Sequence, residues 1–126
     1  MAEHGFFSHD SYNGSPFWAR IKPKYGPLPG RSRSVSENLA WAVSELTADE
    51  AIQMWLHCSP HRKDLFAPAW RDVGLGAVHA LGALGVYKAR DVTILTADSG
   101  RQIAALSTWS SRSPVFVVPT SDTQIC

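Results

Sequence analysis

The segment from His57 to His61 carries the densest group of reactive side chains in the sequence, His-Cys-Ser-Pro-His. A cysteine or serine near a histidine is the arrangement in which an imidazole base activates a nucleophile. The chain nevertheless contains no GxSxG elbow and no recognisable oxyanion loop. Ser59, placed directly before Pro60, is better explained as the N-cap of a helix. The segment therefore predicts a helix start more strongly than a hydrolytic site.

The same segment also raises the question of metal binding, because His57 and His61 are four residues apart. That spacing puts two ligands on one helical face. Pro60 interrupts the helical turn between them. We therefore expect His57 to face solvent rather than to share a ligand with His61.

The strongest helix signal lies just before this segment, in the capping-box sequence Thr47-Ala48-Asp49-Glu50. Apolar residues follow at helical spacing and predict one buried face, formed by Ala48, Ala51, Ile52, Trp55 and Leu56. The pair Ser59-Pro60 is expected to end this helix and to start another.

The remaining elements are predicted from turn residues and strand-forming residues. Gly5 is expected to end a last helical turn in residues 1–8, and Pro16 to start a short helix that carries Phe17, Trp18 and Ile21. Residues 26–34 collect proline, glycine, arginine and serine and predict a surface loop.

Two strands, at 73–79 and 86–96, are expected to form an antiparallel hairpin that turns at Gly82–Gly85. Residues 103–109 fit either a strand or a helix, residues 110–114 a loop, and residues 115–118 a short β-prone run.

Composition is that of one ordinary globular domain, with 126 residues, of which 44% are hydrophobic and 18% are charged. The formal net charge of +1 gives no general attraction to nucleic acid or to an acidic membrane.

Two cysteines, Cys58 and Cys126, are too few for a disulfide-dense scaffold and form no CxxC pair. No apolar run is long enough to span a membrane, and no export signal opens the chain. Because residues 1–5 look like the end of a helix whose beginning is absent, we expect Met1 to be either an internal start or an artificial boundary of the sequence, so the lack of a signal does not argue against secretion.

Four segments, in this order, resemble the bacterial CAP domain, the SCP-like extracellular module of the cysteine-rich secretory protein, antigen 5 and pathogenesis-related superfamily: Gly5-Phe6-Phe7-Ser8-His9, Ser36-Glu37-Asn38-Leu39-Ala40, Trp55-Leu56-His57-Cys58-Ser59-Pro60-His61-Arg62 and Val73-Gly74-Leu75-Gly76. The resemblance implies an α+β fold, a three-layer α/β/α sandwich around a central antiparallel sheet. On this basis residues 1–100 form the CAP domain, with its first helix mostly missing and apolar surface exposed as a result. Residues 101–126 are expected to be a C-terminal extension, either an added strand or a disordered tail.

The chain departs from the family pattern at three places. Ser36 stands where a glycine usually precedes the Glu-Asn pair, and Cys58 stands where animal and plant relatives have a second glutamate. Asp98-Ser99-Gly100 stands where an aromatic residue commonly precedes the glycine. The full four-residue set of the animal and plant relatives is therefore not present.

The resemblance implies a cleft where His9, Glu37 and His61 converge, with Cys58 and Ser59 beside them. Two imidazoles and a carboxylate could hold a divalent metal such as zinc and leave one coordination position open. Alternatively, Glu37 accepts hydrogen bonds from both histidines and the three residues form a structural polar network or a small-ligand site. The sequence leaves both alternatives open.

The resemblance also implies a function, because members of the family are linked to sterols, lipids and cell-envelope components. We expect a secreted or envelope-associated module that is not a catalyst and that binds a small or lipid-like molecule, a cell-envelope component or a protein partner in this cleft. Nucleic acid is not an expected partner. The alternative is a metal-dependent hydrolase, or a hydrolase with Cys58 or Ser59 as nucleophile, in the same cleft. A third alternative is a purely structural domain.

Overall fold

The computed structural model describes residues 1–104 of the 126-residue chain. In chain order the elements are a 3-10 turn at Ala2–His4, helix α1 at Phe17–Ile21, strand β1 at Arg31–Val43, helix α2 at Ala48–His57, helix α3 at Ser59–Leu65, strand β2 at Asp72–Ala83, a 3-10 turn at Gly85–Tyr87 and strand β3 at Arg90–Ala104. The described part is thus an α+β structure with one three-stranded antiparallel sheet and three α-helices. This confirms the predicted fold class at that level.

The sheet has the order β1-β3-β2, so β3 is central and antiparallel to both neighbours. The predicted hairpin of β2 and β3 is present, although β3 begins at Arg90 because the 3-10 turn Gly85–Tyr87 occupies the start of the expected strand. At its other end β3 continues to Ala104, four residues beyond the position where the predicted domain ends. The predictions for residues 105–118 lie outside the described residues.

The prediction of a surface loop at residues 26–34 is wrong from Arg31 onward, because these residues belong to strand β1 of the sheet. Arg31 pairs with Ala104, and the pairing continues without a break to Val43 opposite Val92. The backbone of this serine- and arginine-rich segment is therefore satisfied by β3, a partner about sixty residues away that no local turn signal can reveal.

Helices α2 and α3 cover one face of the sheet. Thr47 and Glu50 form the predicted capping box, and Trp55 donates from its Nε1 to the carbonyl of Leu39 at 2.8 Å. The core on this face is formed by Ala40, Leu46, Ala51, Trp55 and Ala97. The predicted apolar stripe is buried only at its centre, since Ile52 is exposed.

Residue 58, rather than 59, caps helix α3. Cys58 is the N-cap and Ser59 is the first helical residue, followed by Pro60. The prediction that Ser59 is the cap is therefore wrong by one position, because the break between the two helices occurs at the extended backbone of Cys58.

The N-terminal segment covers the opposite face of the sheet. Gly5 has the left-handed conformation expected of a glycine that ends a helical turn. Its carbonyl accepts from the amide of Val86 at 3.0 Å, and Phe6 O accepts from the Tyr87 hydroxyl at 2.8 Å. At this crossing a Cβ on Gly85 would lie 2.0 Å from Gly5 O, so only glycine fits. These contacts fix the segment that carries His9.

Strand β2 is an edge strand with exposed apolar side chains, among them Val73, Leu75, Val78 and Leu81. The expectation that apolar surface is exposed is confirmed along this strand. No helix among residues 1–104 is long and apolar enough to cross a membrane.

Candidate functional site

The carboxylate of Glu37 lies at the centre of the candidate site. Glu37 is 3% exposed and projects from β1 toward the face that the N-terminal segment covers. Nδ1 of His9 lies 3.0 Å from its Oε1, and Nη2 of Arg20 lies 2.5 Å from its Oε2. A buried carboxylate requires such partners, because its desolvation is costly unless it is paired and hydrogen-bonded.

Arg20 extends from α1 and links the site to the preceding loop. Its Nη1 donates to the carbonyl of His9 at 2.7 Å and to the hydroxyl of Ser11 at 3.2 Å. The guanidinium therefore holds Glu37 and the backbone of His9 at once. Sequence reasoning missed Arg20: a glutamate in an apolar strand signals a cationic partner, but it does not tell which of the twelve lysines and arginines supplies it.

His61 approaches from α3, on the other side of β1. Burial and the neighbouring His9 hold the pKa of His61 below its ordinary value, against the opposing effect of Asp64. The imidazole of His61 is therefore favoured in its neutral form. Among residues 1–104, His61 has no hydrogen bond to His9 or Glu37, so the structure joins two of the three predicted residues directly and brings the third within electrostatic reach.

Asp98 is a second carboxyl at the site, and sequence reasoning noted it only as a departure from the family pattern. Asp98 pairs with Glu37 in the register of β1 and β3, so both side chains lie on the same face. Burial, followed by the Glu37 carboxylate, raises the pKa of Asp98 to about 6. The hydroxyl of Thr96 donates to its Oδ1 at 3.3 Å. Asp98 therefore holds its proton to a higher pH than an ordinary aspartate.

Cys58 and Ser59 are not arranged as activated nucleophiles. Cys58 is 1% exposed and is not a free cysteine. Ser59 is exposed and has no hydrogen bond to a histidine within the described part of the chain. His57 is exposed, as predicted, and its Nδ1 lies 2.7 Å from the Gln53 carbonyl.

Metal binding by His9, Glu37 and His61 remains a prediction. Within residues 1–104, no three or more His, Cys, Asp and Glu side chains are grouped in a way that could hold a metal ion. Nδ1 of His9 and both oxygens of Glu37 already have partners. The observed contacts between His9 and Glu37 are those of a hydrogen-bonded network.

Comparison with family models, with curated proteins and with solved structures finds no match to this chain. The resemblance to CAP domains therefore depends on the four sequence segments.

Proposed function

We propose that this chain is a secreted or cell-envelope-associated CAP-type module that binds a small or lipid-like ligand in the cleft around His9, Glu37 and His61, without catalysis. The observation that carries the proposal is the buried Glu37 carboxylate, held by both His9 and Arg20. Those contacts build a rigid polar wall, and preorganised polar groups favour ligand binding because little ordering is needed on association.

The layering of the described residues supports a CAP-type α/β/α sandwich. Helices α2 and α3 pack on one face of the antiparallel sheet, and the N-terminal segment packs on the other. In this arrangement α3 and the N-terminal segment flank β1, an edge strand. The cleft residues His9 and His61 come from these two flanking segments.

The chemistry of the cleft suits a ligand with a polar end and an apolar body. Neutral His61 can donate one hydrogen bond and accept another, and Asp98 offers a carboxyl. Phe17 is buried beside His9, with ring centroids 6.2 Å apart. Phe17 thus backs the polar groups from inside the protein, and apolar residues with a few polar groups are the common lining of small-molecule sites.

One observation favours the hydrolase alternative: Asp98 lies beside a second carboxyl, Glu37, and burial raises its pKa to about 6. A carboxyl with a raised pKa is typical of a general acid in catalysis. Cys58 is buried and is not a free cysteine, and Ser59 is exposed without a histidine partner among residues 1–104. Both observations argue against a nucleophile in the same cleft, so binding is the better-supported function.

Displacement of a fluorescent fatty acid or a fluorescent sterol tests the proposal directly. We expect saturable binding to the wild-type protein and a roughly tenfold loss of affinity in His61→Ala. His57→Ala is the matched control, because His57 is an exposed imidazole four residues away and should bind as wild type.

Absence of any response to saturating fatty acid and sterol would remove the lipid-binding proposal. Turnover of ester or peptide substrates that disappears in His61→Ala would instead establish the hydrolase alternative. Both assays use the whole chain.

A further inference from the structure

A separate cavity of about 560 Å³ lies between the N-terminal 3-10 turn, the loop at residues 10–15 and one side of α1. Its volume falls within the range of small-molecule pockets, roughly 300–1,000 Å³. Arg20 lines this cavity, whereas Glu37 and His61 do not. The cavity therefore adjoins the cluster around Glu37 and shares only Arg20 with His9, Glu37 and His61 and their partners named above.

One wall of the cavity consists of aromatic rings. The rings of His4 and Tyr12 are stacked, with centroids 4.2 Å apart and planes inclined by 12°, and Phe6 lies 5.9 Å from Tyr12. Tyr12 is 68% exposed, which is unusual for a side chain with so much apolar surface. His4 therefore covers one face of the Tyr12 ring, and the rest of this ring is open to solvent as a platform.

The loop that carries Tyr12 is held in place before any ligand arrives. The amide of Ser11 donates to the carbonyl of Ser15 at 2.7 Å, and the amide of Gly14 donates back to the carbonyl of Ser11 at 2.8 Å. Arg20 donates to the hydroxyl of Ser11 from outside the loop. A platform fixed in this way binds a ligand at a low entropic cost.

Polar side chains surround the platform with unused hydrogen-bonding capacity. The carboxylate of Asp10 and the hydroxyls of Tyr12 and Ser15 line the cavity, and none of these groups has a hydrogen-bond partner among residues 1–104. Asp10 is the one carboxylate among the lining side chains of this cavity, and the guanidinium of Arg20 is already ion-paired with Glu37. A ligand rich in hydroxyl groups can donate to the Asp10 carboxylate and accept from the Tyr12 and Ser15 hydroxyls.

We propose that this cavity is a carbohydrate-binding site that takes a neutral oligosaccharide, with one pyranose ring stacked on Tyr12. The C–H bonds on the apolar face of a sugar ring are attracted to the electron-rich face of an aromatic ring. Sugar hydroxyls supply the donors that Asp10 accepts and the acceptors that the Tyr12 and Ser15 hydroxyls require. A wholly apolar ligand such as a sterol would instead remove the Asp10 carboxylate from water without a partner.

Isothermal titration calorimetry with chitotetraose, cellotetraose and maltotetraose tests this inference on the whole chain. We expect at least one of these oligosaccharides to bind the wild-type protein saturably. Tyr12→Ala should bind it about tenfold more weakly, whereas Tyr12→Phe, which keeps the ring, should stay within about threefold of wild type.

Leu81→Ala is the matched control, since it truncates another exposed apolar side chain away from the cavity and should leave the affinity unchanged. Tyr12 is exposed enough that its loss should preserve the fold, which far-ultraviolet circular dichroism checks.

The inference is overturned if none of the three oligosaccharides binds, or if Tyr12→Ala binds as tightly as wild type. A fluorescent sterol that binds through Tyr12 while the oligosaccharides do not would also overturn it. Lipid binding that depends on His61 concerns the other cleft and does not bear on this outcome.

Discussion

At the residue scale, two neighbouring carboxyls on the same face of the sheet, Glu37 and Asp98, influence one another. Glu37 has an arginine and a histidine as direct partners, while Asp98 accepts from the hydroxyl of Thr96 and also hydrogen-bonds to Glu37. Burial opposes the ionisation of Asp98, and the neighbouring Glu37 carboxylate opposes it further, so the pKa of Asp98 is raised. Asp98 consequently keeps its proton to a higher pH than an ordinary aspartate.

Asp98→Asn should make the protein more stable than wild type above pH about 6. The pKa of Asp98 rises from 3.8 to about 6 on folding, so the folded state holds this proton more tightly than the unfolded state. Stability then falls as the pH rises through this interval, because the folded protein must ionise an unfavourable carboxylate. Asparagine removes that dependence.

Urea unfolding of both proteins from pH about 4 to about 7 measures this difference, and other titrations cancel in the comparison. A difference between the two proteins that stays constant over the whole interval would contradict the assignment to Asp98.

At the element scale, α1 shows how a short helix becomes a fixed part of a site. Five residues are too few to form a stable isolated helix. Phe17 is buried, and Arg20 binds Glu37, His9 and Ser11. Tertiary contacts at these two residues therefore hold α1 against β1, and they hold the loop at residues 10–15 with it.

Arg20→Ala should lower the free energy of unfolding by about 2 kcal/mol, since it leaves the buried Glu37 carboxylate with one partner fewer. We place the value below that of a fully buried pair, because the Arg20 side chain is partly exposed and water can replace some of its contacts. Arg20→Lys should recover only part of the loss, since one ammonium cannot reproduce the fork that binds three groups.

Arg62→Ala serves as the control, because Arg62 is an exposed arginine whose one hydrogen bond among residues 1–104 is a long contact to the Leu56 carbonyl. If urea denaturation shows the same loss of unfolding free energy for Arg20→Ala and Arg62→Ala, the ion pair of Arg20 with Glu37 does not stabilise the fold beyond an ordinary surface arginine.

At the scale of the whole molecule, both faces of the sheet are covered by other segments, whereas the β2 edge is exposed. Helices pack over β1 and β3, but β2 carries no charged residue from Val73 to Ala83 and exposes several large apolar side chains. An uncharged edge strand with exposed apolar residues is a template for association. Within residues 1–104, nothing pairs with its outer edge.

Leu75→Lys should reduce self-association of the protein at high concentration. Leu75 is 79% exposed near the middle of β2, so the substitution adds a charge to the edge without disturbing the core. Sedimentation velocity over a range of concentrations measures the effect.

Leu28→Lys adds the same charge at an exposed position outside the sheet and should leave the association as in wild type. Equal effects of the two substitutions would show that net charge, rather than the β2 edge, controls association.

The sequence by itself determined the features that depend on contacts between near neighbours. The capping box places α2, Pro60 separates α3 from it, and Gly5 ends the N-terminal turn. The β2 and β3 hairpin belongs to the same class. Each is written in a few adjacent residues, because the hydrogen bonds or steric limits involved span only one turn.

Only the tertiary structure decided how distant residues meet. It paired Arg31 with Ala104, which turned the expected loop into the start of β1, and it set Asp98 opposite Glu37. It also selected Arg20 as the cation for Glu37. These choices follow from strand register and from the need to neutralise a buried carboxylate, and both are satisfied by residues that carry no local sign of their partner.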